Sequence, residues 1–98
     1  MDGTRLHAQV VEVTYAPGGS SAPHSHPCAV IGYVVAGRLH MAVQSHADTV
    51  YGPGDTFYEA PGSVHLVSAN ASTSEPATFV VFALCDGVQP LSVPVPRR

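Results

Sequence analysis

The sequence predicts an all-β protein, a small barrel or sandwich of about eight short strands. Three observations point there. Nine glycines and nine prolines in 98 residues interrupt the chain too often for long helices. The apolar runs are short and rich in Val, with Tyr and Phe, residues that suit a pleated surface. Only 11% of the residues are charged and lysine is absent, so exposed helical faces would have little to cover them.

The elements follow in order. Ala8 to Tyr15 reads as a strand ending at the loop Pro17-Gly18-Gly19-Ser20-Ser21. Val30 to Ala36 is a second, closed by Gly37, and Arg38 to Gln44 restarts at once, so a hairpin around Gly37 is expected. Alternation in the latter puts Leu39, Met41 and Val43 on one face and His40 on the other, toward solvent. Thr49 to Tyr51, the turn Gly52 to Asp55, the strand Thr56 to Glu59, the turn Ala60-Pro61-Gly62 and the strand Val64 to Ser68 come next. After the polar loop Asn70 to Pro76, Thr78 to Leu84 is the most apolar strand. The segment from Gln89 onward, with Pro90, Pro94 and Pro96, fits only an extended or edge position. One domain over residues 1–98 is expected, with no internal repeat.

Composition excludes several function classes. The only basic residues are Arg5, Arg38, Arg97 and Arg98, and the net charge is −3, so no basic stripe exists to neutralise phosphates and nucleic acid is not an expected partner. No apolar run approaches the roughly 20 residues that a spanning helix needs, so no membrane partner is expected. The opening residues lack the apolar core of a secretion signal, which predicts a cytoplasmic protein. In that setting Cys28 and Cys85, far apart and in no CxxC spacing, are expected as buried thiols.

The chemistry concentrates in histidine. His24 and His26 stand at i and i+2, which on a strand aims both imidazoles the same way and allows two nitrogens to meet one ion about 2.1 Å from each. His65 follows Pro61-Gly62-Ser63-Val64, again just after a Pro-Gly turn and entering an apolar strand. Three such histidines suit a divalent metal with open coordination positions.

In these stretches the sequence resembles the cupin family. The first cupin motif, G-x5-H-x-H-x3-4-E-x6-G, is matched by Gly18 or Gly19, His24, His26 and Gly37. The second, G-x5-P-x-G-x2-H-x3-N, is matched by Gly54, Gly62 and His65, with Ala60 where the proline is expected and the asparagine displaced to Asn70. The resemblance spans Pro17 to Asn70 and implies a jelly-roll barrel, the double-stranded β-helix. It implies metal ligation by His24, His26 and His65, and no particular reaction, because the fold hosts many.

The departure from the motif is informative. The glutamate that joins the histidines would fall at Val30 or Ile31, and neither can ligate. Without it a bound divalent ion keeps about one more unit of positive charge, which favours an anionic or chelating ligand. Glu59 lies on the strand before the Ala60-Pro61-Gly62 turn, where the family places an apolar side chain. It is either a fourth ligand or general base, or a rim carboxylate bonded to a turn amide. Tyr33 and Tyr58 either present phenols to substrate as catalytic groups or pack in the core. Asp55, Ser63 and His65 make no hydrolase triad, because no GxSxG elbow is present.

The expected function is a metal-dependent enzyme on a small anionic, phenolic or enolic molecule. Iron would bring dioxygenase chemistry, and manganese, zinc or nickel would bring isomerisation, cyclisation or elimination. The alternative is a non-catalytic small-molecule binding cupin. A homodimer is expected, with Val10, Val11 and Val13 or the proline-bearing segment covering strand edges in a partner.

Overall fold

The computed structural model describes residues 5–44 and 46–95. Ten strands and no helix occur among them: β1 (Leu6–Tyr15), β2 (Ser20–Ser21), β3 (His24–Ser25), β4 (Ala29–Ala36), β5 (Leu39–Val43), β6 (Thr49–Tyr51), β7 (Thr56–Glu59), β8 (Val64–Asn70), β9 (Ala77–Asp86) and β10 (Val93–Pro94). They form two antiparallel sheets. One runs β1-β9-β4-β7, and the other β10-β3-β8-β5-β6, with β2 also on β8. The core between them holds Tyr15, Val30, Val34, Leu39, Phe57 and Phe79, with other side chains from both inner faces. The all-β expectation stands, and β6 and β7 fall where the Gly52 and Ala60 turns bound them.

The expected hairpin at Gly37 does not form. β4 lies in the first sheet and β5 in the second, so Gly37 is the corner at which the chain changes layers. Its backbone is left-handed, at φ 81°, and a Cβ there would collide with the Pro76 carbonyl and Ala77. Local pattern marks the turn correctly, but a turn at a sheet corner and one inside a hairpin use the same residue. The proline-bearing segment takes the edge position expected of it, with β10 outermost in its sheet. Val93 and Pro94 pair with Ser25 and His24 of the same chain, so this edge is used internally.

The cysteines overturn another expectation. Cys28 and Cys85 are joined in a disulfide, with Cα atoms 5.0 Å apart. The β4–β9 register explains why: Ala29 opposes Leu84, so the next pair outward is Cys28 opposite Cys85. Separation in sequence carries no information about this register. The expectation of free thiols followed from the cytoplasmic reading, and the disulfide counts against that reading, since disulfides persist mainly in oxidising compartments. No helix among the described residues is long and apolar enough to cross a membrane.

Candidate metal centre

Strand pairing brings the histidines together. His24 of β3 is the cross-strand partner of His65 of β8, and their rings lie 5.0 Å apart. His26 follows β3 directly, its ring 4.9 Å from His24 and 6.2 Å from His65. Its carbonyl accepts from the Gly62 amide at 2.8 Å, which ties this stretch to the Pro-Gly turn before β8. One ligating atom from each ring lies within 4.8 Å of the other two.

Two of the rings are oriented by backbone. His24 Nδ1 donates to the Ala22 carbonyl and His26 Nδ1 to the Leu91 carbonyl, each at 2.8 Å. A carbonyl only accepts, so Nδ1 carries the hydrogen and Nε2 of the neutral ring keeps its lone pair. His65 is different. It is 2% exposed, and neither of its nitrogens has a hydrogen-bond partner.

Glu59 adjoins this trio. Its Oε1 lies 3.3 Å from His65 Nδ1 and 3.8 Å from His26 Nε2, and both carboxylate oxygens are buried without hydrogen bonds. In the β4–β7 register Val30 opposes Glu59, both on the inner face, while Ile31 points outward. The position of the missing motif glutamate is therefore Val30, and a carboxylate stands directly across the strand pair from it. With Glu59 3% exposed, the rim reading does not hold.

Burial sets the charge of this pair. It pushes the Glu59 carboxyl up to about 7, against the opposing pull of His24. Burial, then the His24 and His26 charges, pull His65 down to about 4. Without a cation, the close Glu59–His65 contact is therefore a partly protonated carboxyl beside a neutral imidazole, not an ion pair. Orphaned buried polar groups are expensive and rare. All-imidazole ligation with a carboxylate alongside suits zinc, iron, nickel or similar ions, and a cation would satisfy these orphans together.

A cavity of about 330 Å³ reaches the histidines, within the range of small-molecule sites. Its wall includes Val13, Tyr15, Ser21, Ser68 and Phe79 beside the site residues. Tyr33 and Tyr58 take no part in it. They are 44% and 65% exposed on the outer face of β4 and β7, which corrects the expectation that they face substrate there. The phenol in this cavity is Tyr15, which the sequence reading passed over; its hydroxyl bonds Ser68 Oγ at 2.8 Å. Inward alternation of Val11, Val13 and Tyr15 along β1 was the available signal. Asn70 serves the fold instead. Its amide donates to the carbonyls of Ala16 and Glu75, holding the β8–β9 loop.

The cupin domain matches residues 11–83. The chain belongs to the cupin family. Among curated proteins it is 37% identical over 65 residues to germin-like protein subfamily T member 3 of Arabidopsis thaliana, covering 61% of this chain and 29% of that protein. An oxalate oxidase structure is 28% identical with a TM-score of 0.76, covering 90% of this chain and 46% of the other. The DMSP lyase of Ruegeria pomeroyi, at 24% identity and a TM-score of 0.72 over 92% of this chain and 43% of that one, shares the fold alone. This cupin thus spans under a third of the germin-like protein and under half of either solved chain.

Proposed function

We propose that this cupin is a metal-dependent enzyme acting on a small anionic, phenolic or enolic molecule through His24, His26 and His65. The observation that carries the reading is the histidine trio beside the orphaned, buried Glu59 carboxylate. A divalent ion there (iron, manganese, zinc or nickel) supplies Lewis-acid polarisation of a substrate oxygen or, if redox-active, electron exchange. Three protein nitrogens leave coordination positions open, unlike a closed structural site.

The chain's own groups do the rest. His24 and His26 present Nε2 with their Nδ1 hydrogens held elsewhere. Glu59 is the proton-holding group, its buried carboxyl set against the centre where it can take a proton from a bound substrate. Tyr15 offers a phenol hydroxyl to a bound ligand. Apolar walls from Val13 and Phe79 exclude water. The likeness to oxalate oxidase, also solved with glycolate, supports a small carboxylate as the substrate class.

Elemental analysis of protein purified without chelators tests the site. About one transition metal per chain is expected; a metal-free protein that also rejects added zinc and iron overturns it. Turnover separates this from the second reading, a binding cupin, which the well-formed cavity also allows. Loaded protein that holds a small carboxylate unchanged over hours favours the binder.

We further infer that a second copy covers the outer face of the β1-β9-β4-β7 sheet. Register aligns Val10, Phe82, Ile31 and Tyr58 in one row across it, all more than 40% exposed. Four strands about 4.8 Å apart, of 10, 10, 8 and 4 residues, give roughly 500 Å² per copy, so a pair buries about 1,000 Å², the size at which a specific interface begins. A light-scattering mass near twice 10.2 kDa, returning to 10.2 kDa in Ile31→Lys, is expected. A monomeric wild type at micromolar concentration overturns it.

A further inference from the structure

The centre is assembled with help from a piece of chain outside both motifs. After β9 the chain returns across the histidine cavity as the segment Gln89–Val95, and several ties hold it. The Gln9 side chain donates to the Gln89 carbonyl at 2.9 Å. Leu91 packs partly buried against the core, and Val93–Pro94 pair with β3. Leu91, Ser92 and Pro94 line the cavity itself. This segment also supplies the carbonyl that accepts from His26 Nδ1, 65 residues away in sequence.

We propose that Gln89–Val95 is a positioning strap, in which Leu91 seats its carbonyl on His26 and fixes that ring with Nε2 facing the shared centre. The consequence for metal rests on the three-histidine reading above; the orientation of the ring does not. His26 Nε2 already faces inward, 3.8 Å from Glu59 Oε1. Outer partners of this kind hold the tautomer and aim of a ligand ring, and their loss typically costs about 10–100-fold in metal affinity. His24 serves as an internal control. Its carbonyl comes from Ala22, two residues earlier, and needs no strap.

The Leu91 carbonyl cannot be mutated away, but its apolar anchor can. Long-range proton–nitrogen NMR spectra of the metal-free full chain report each imidazole tautomer. In wild type and Leu91→Met, His26 is expected as one Nδ1–H form. In Leu91→Asp it becomes a mixture, while His24 stays unchanged. Cobalt(II), followed by its visible absorption, is expected to bind Leu91→Asp about 10–100-fold more weakly than wild type and Leu91→Met close to wild type.

An unchanged His26 tautomer in Leu91→Asp overturns the proposal. A wild type that rejects cobalt while the tautomers shift as described overturns the metal reading and leaves the strap standing. If Leu91→Asp does not fold, Gln9→Ala cuts the tie to Gln89 and is expected to shift His26 the same way by less. No shift there overturns the strap.

Discussion

The two sides of the centre are built differently. On the β3 side, His24 and His26 each have Nδ1 engaged by a carbonyl, and their geometry is set before any ion arrives. On the β7–β8 side, His65 and Glu59 are deeper, pressed together and without hydrogen bonds. One side is pre-oriented at no electrostatic cost. The other is held unsatisfied by its burial, and an ion relieves it. The contrast teaches that affinity in such a centre has two sources: rings already aimed, and buried donors that gain a partner.

The largest effect is expected from the unsatisfied side. His65→Ala removes a ligand outright, so its loss in metal affinity should exceed the roughly 100-fold limit of outer-partner changes. Elemental analysis of the purified variant checks it, and full metal content would erase the distinction between the sides.

Glu59→Gln sharpens the comparison next. In the metal-free protein the buried carboxyl, raised from 4.5 to about 7, costs folding stability as pH rises above 4.5 and in full above 7, because the unfolded chain ionises it freely. That cost is absent below pH 4.5 and grows between 4.5 and 7. The variant should therefore be more stable than wild type at pH 8, by up to about 3 kcal/mol, and nearly equal at pH 4. The depressed His65 imidazole works the opposite way, losing stability as pH falls from 6.5 toward 4, and is common to both proteins. Denaturant titrations of chelated samples at the two pH values measure the difference. Metal retention by the same variant with loss of turnover identifies a base, and metal loss a ligand.

The smallest effect is expected outside both groups of ligands. Tyr15→Phe deletes a hydroxyl bonded to Ser68, worth about 1 kcal/mol of stability, and should leave the metal content unchanged. A Tyr15→Phe protein without metal would place Tyr15 among the groups that build the centre.

Much of this was legible in the sequence where local chemistry decides structure. The Gly52-Pro53-Gly54-Asp55 and Ala60-Pro61-Gly62 turns bound β7 because Pro fixes φ and Gly supplies the positive φ a turn needs, whatever surrounds them. The histidine trio was readable because strand parity and motif spacing are both short-range. Facts set by register between distant strands were not. The Cys28–Cys85 pair and the Val30–Glu59 opposition need the β4–β9 and β4–β7 alignments. Tyr33 and Tyr58 were ambiguous for another reason. Ile31, Tyr33 and Val35 leave the outer face of β4 nearly as apolar as the inner one, so alternation gave no direction.

The disulfide gives the chain a topology of its own. It closes residues 28–85 into a covalent ring from which two arms emerge. Glu59 and His65 lie within the ring, His24 and His26 on the leading arm, and Leu91 on the trailing one. A backbone cut inside the ring, in the loop 71–76 for instance, leaves every ligand joined to one covalent body. A cut between His26 and Cys28 releases the two pre-oriented histidines altogether. The centre is thus a joint between the ring and its arms, and the short stretch from His24 to Cys28 keeps all three histidines on a single molecule.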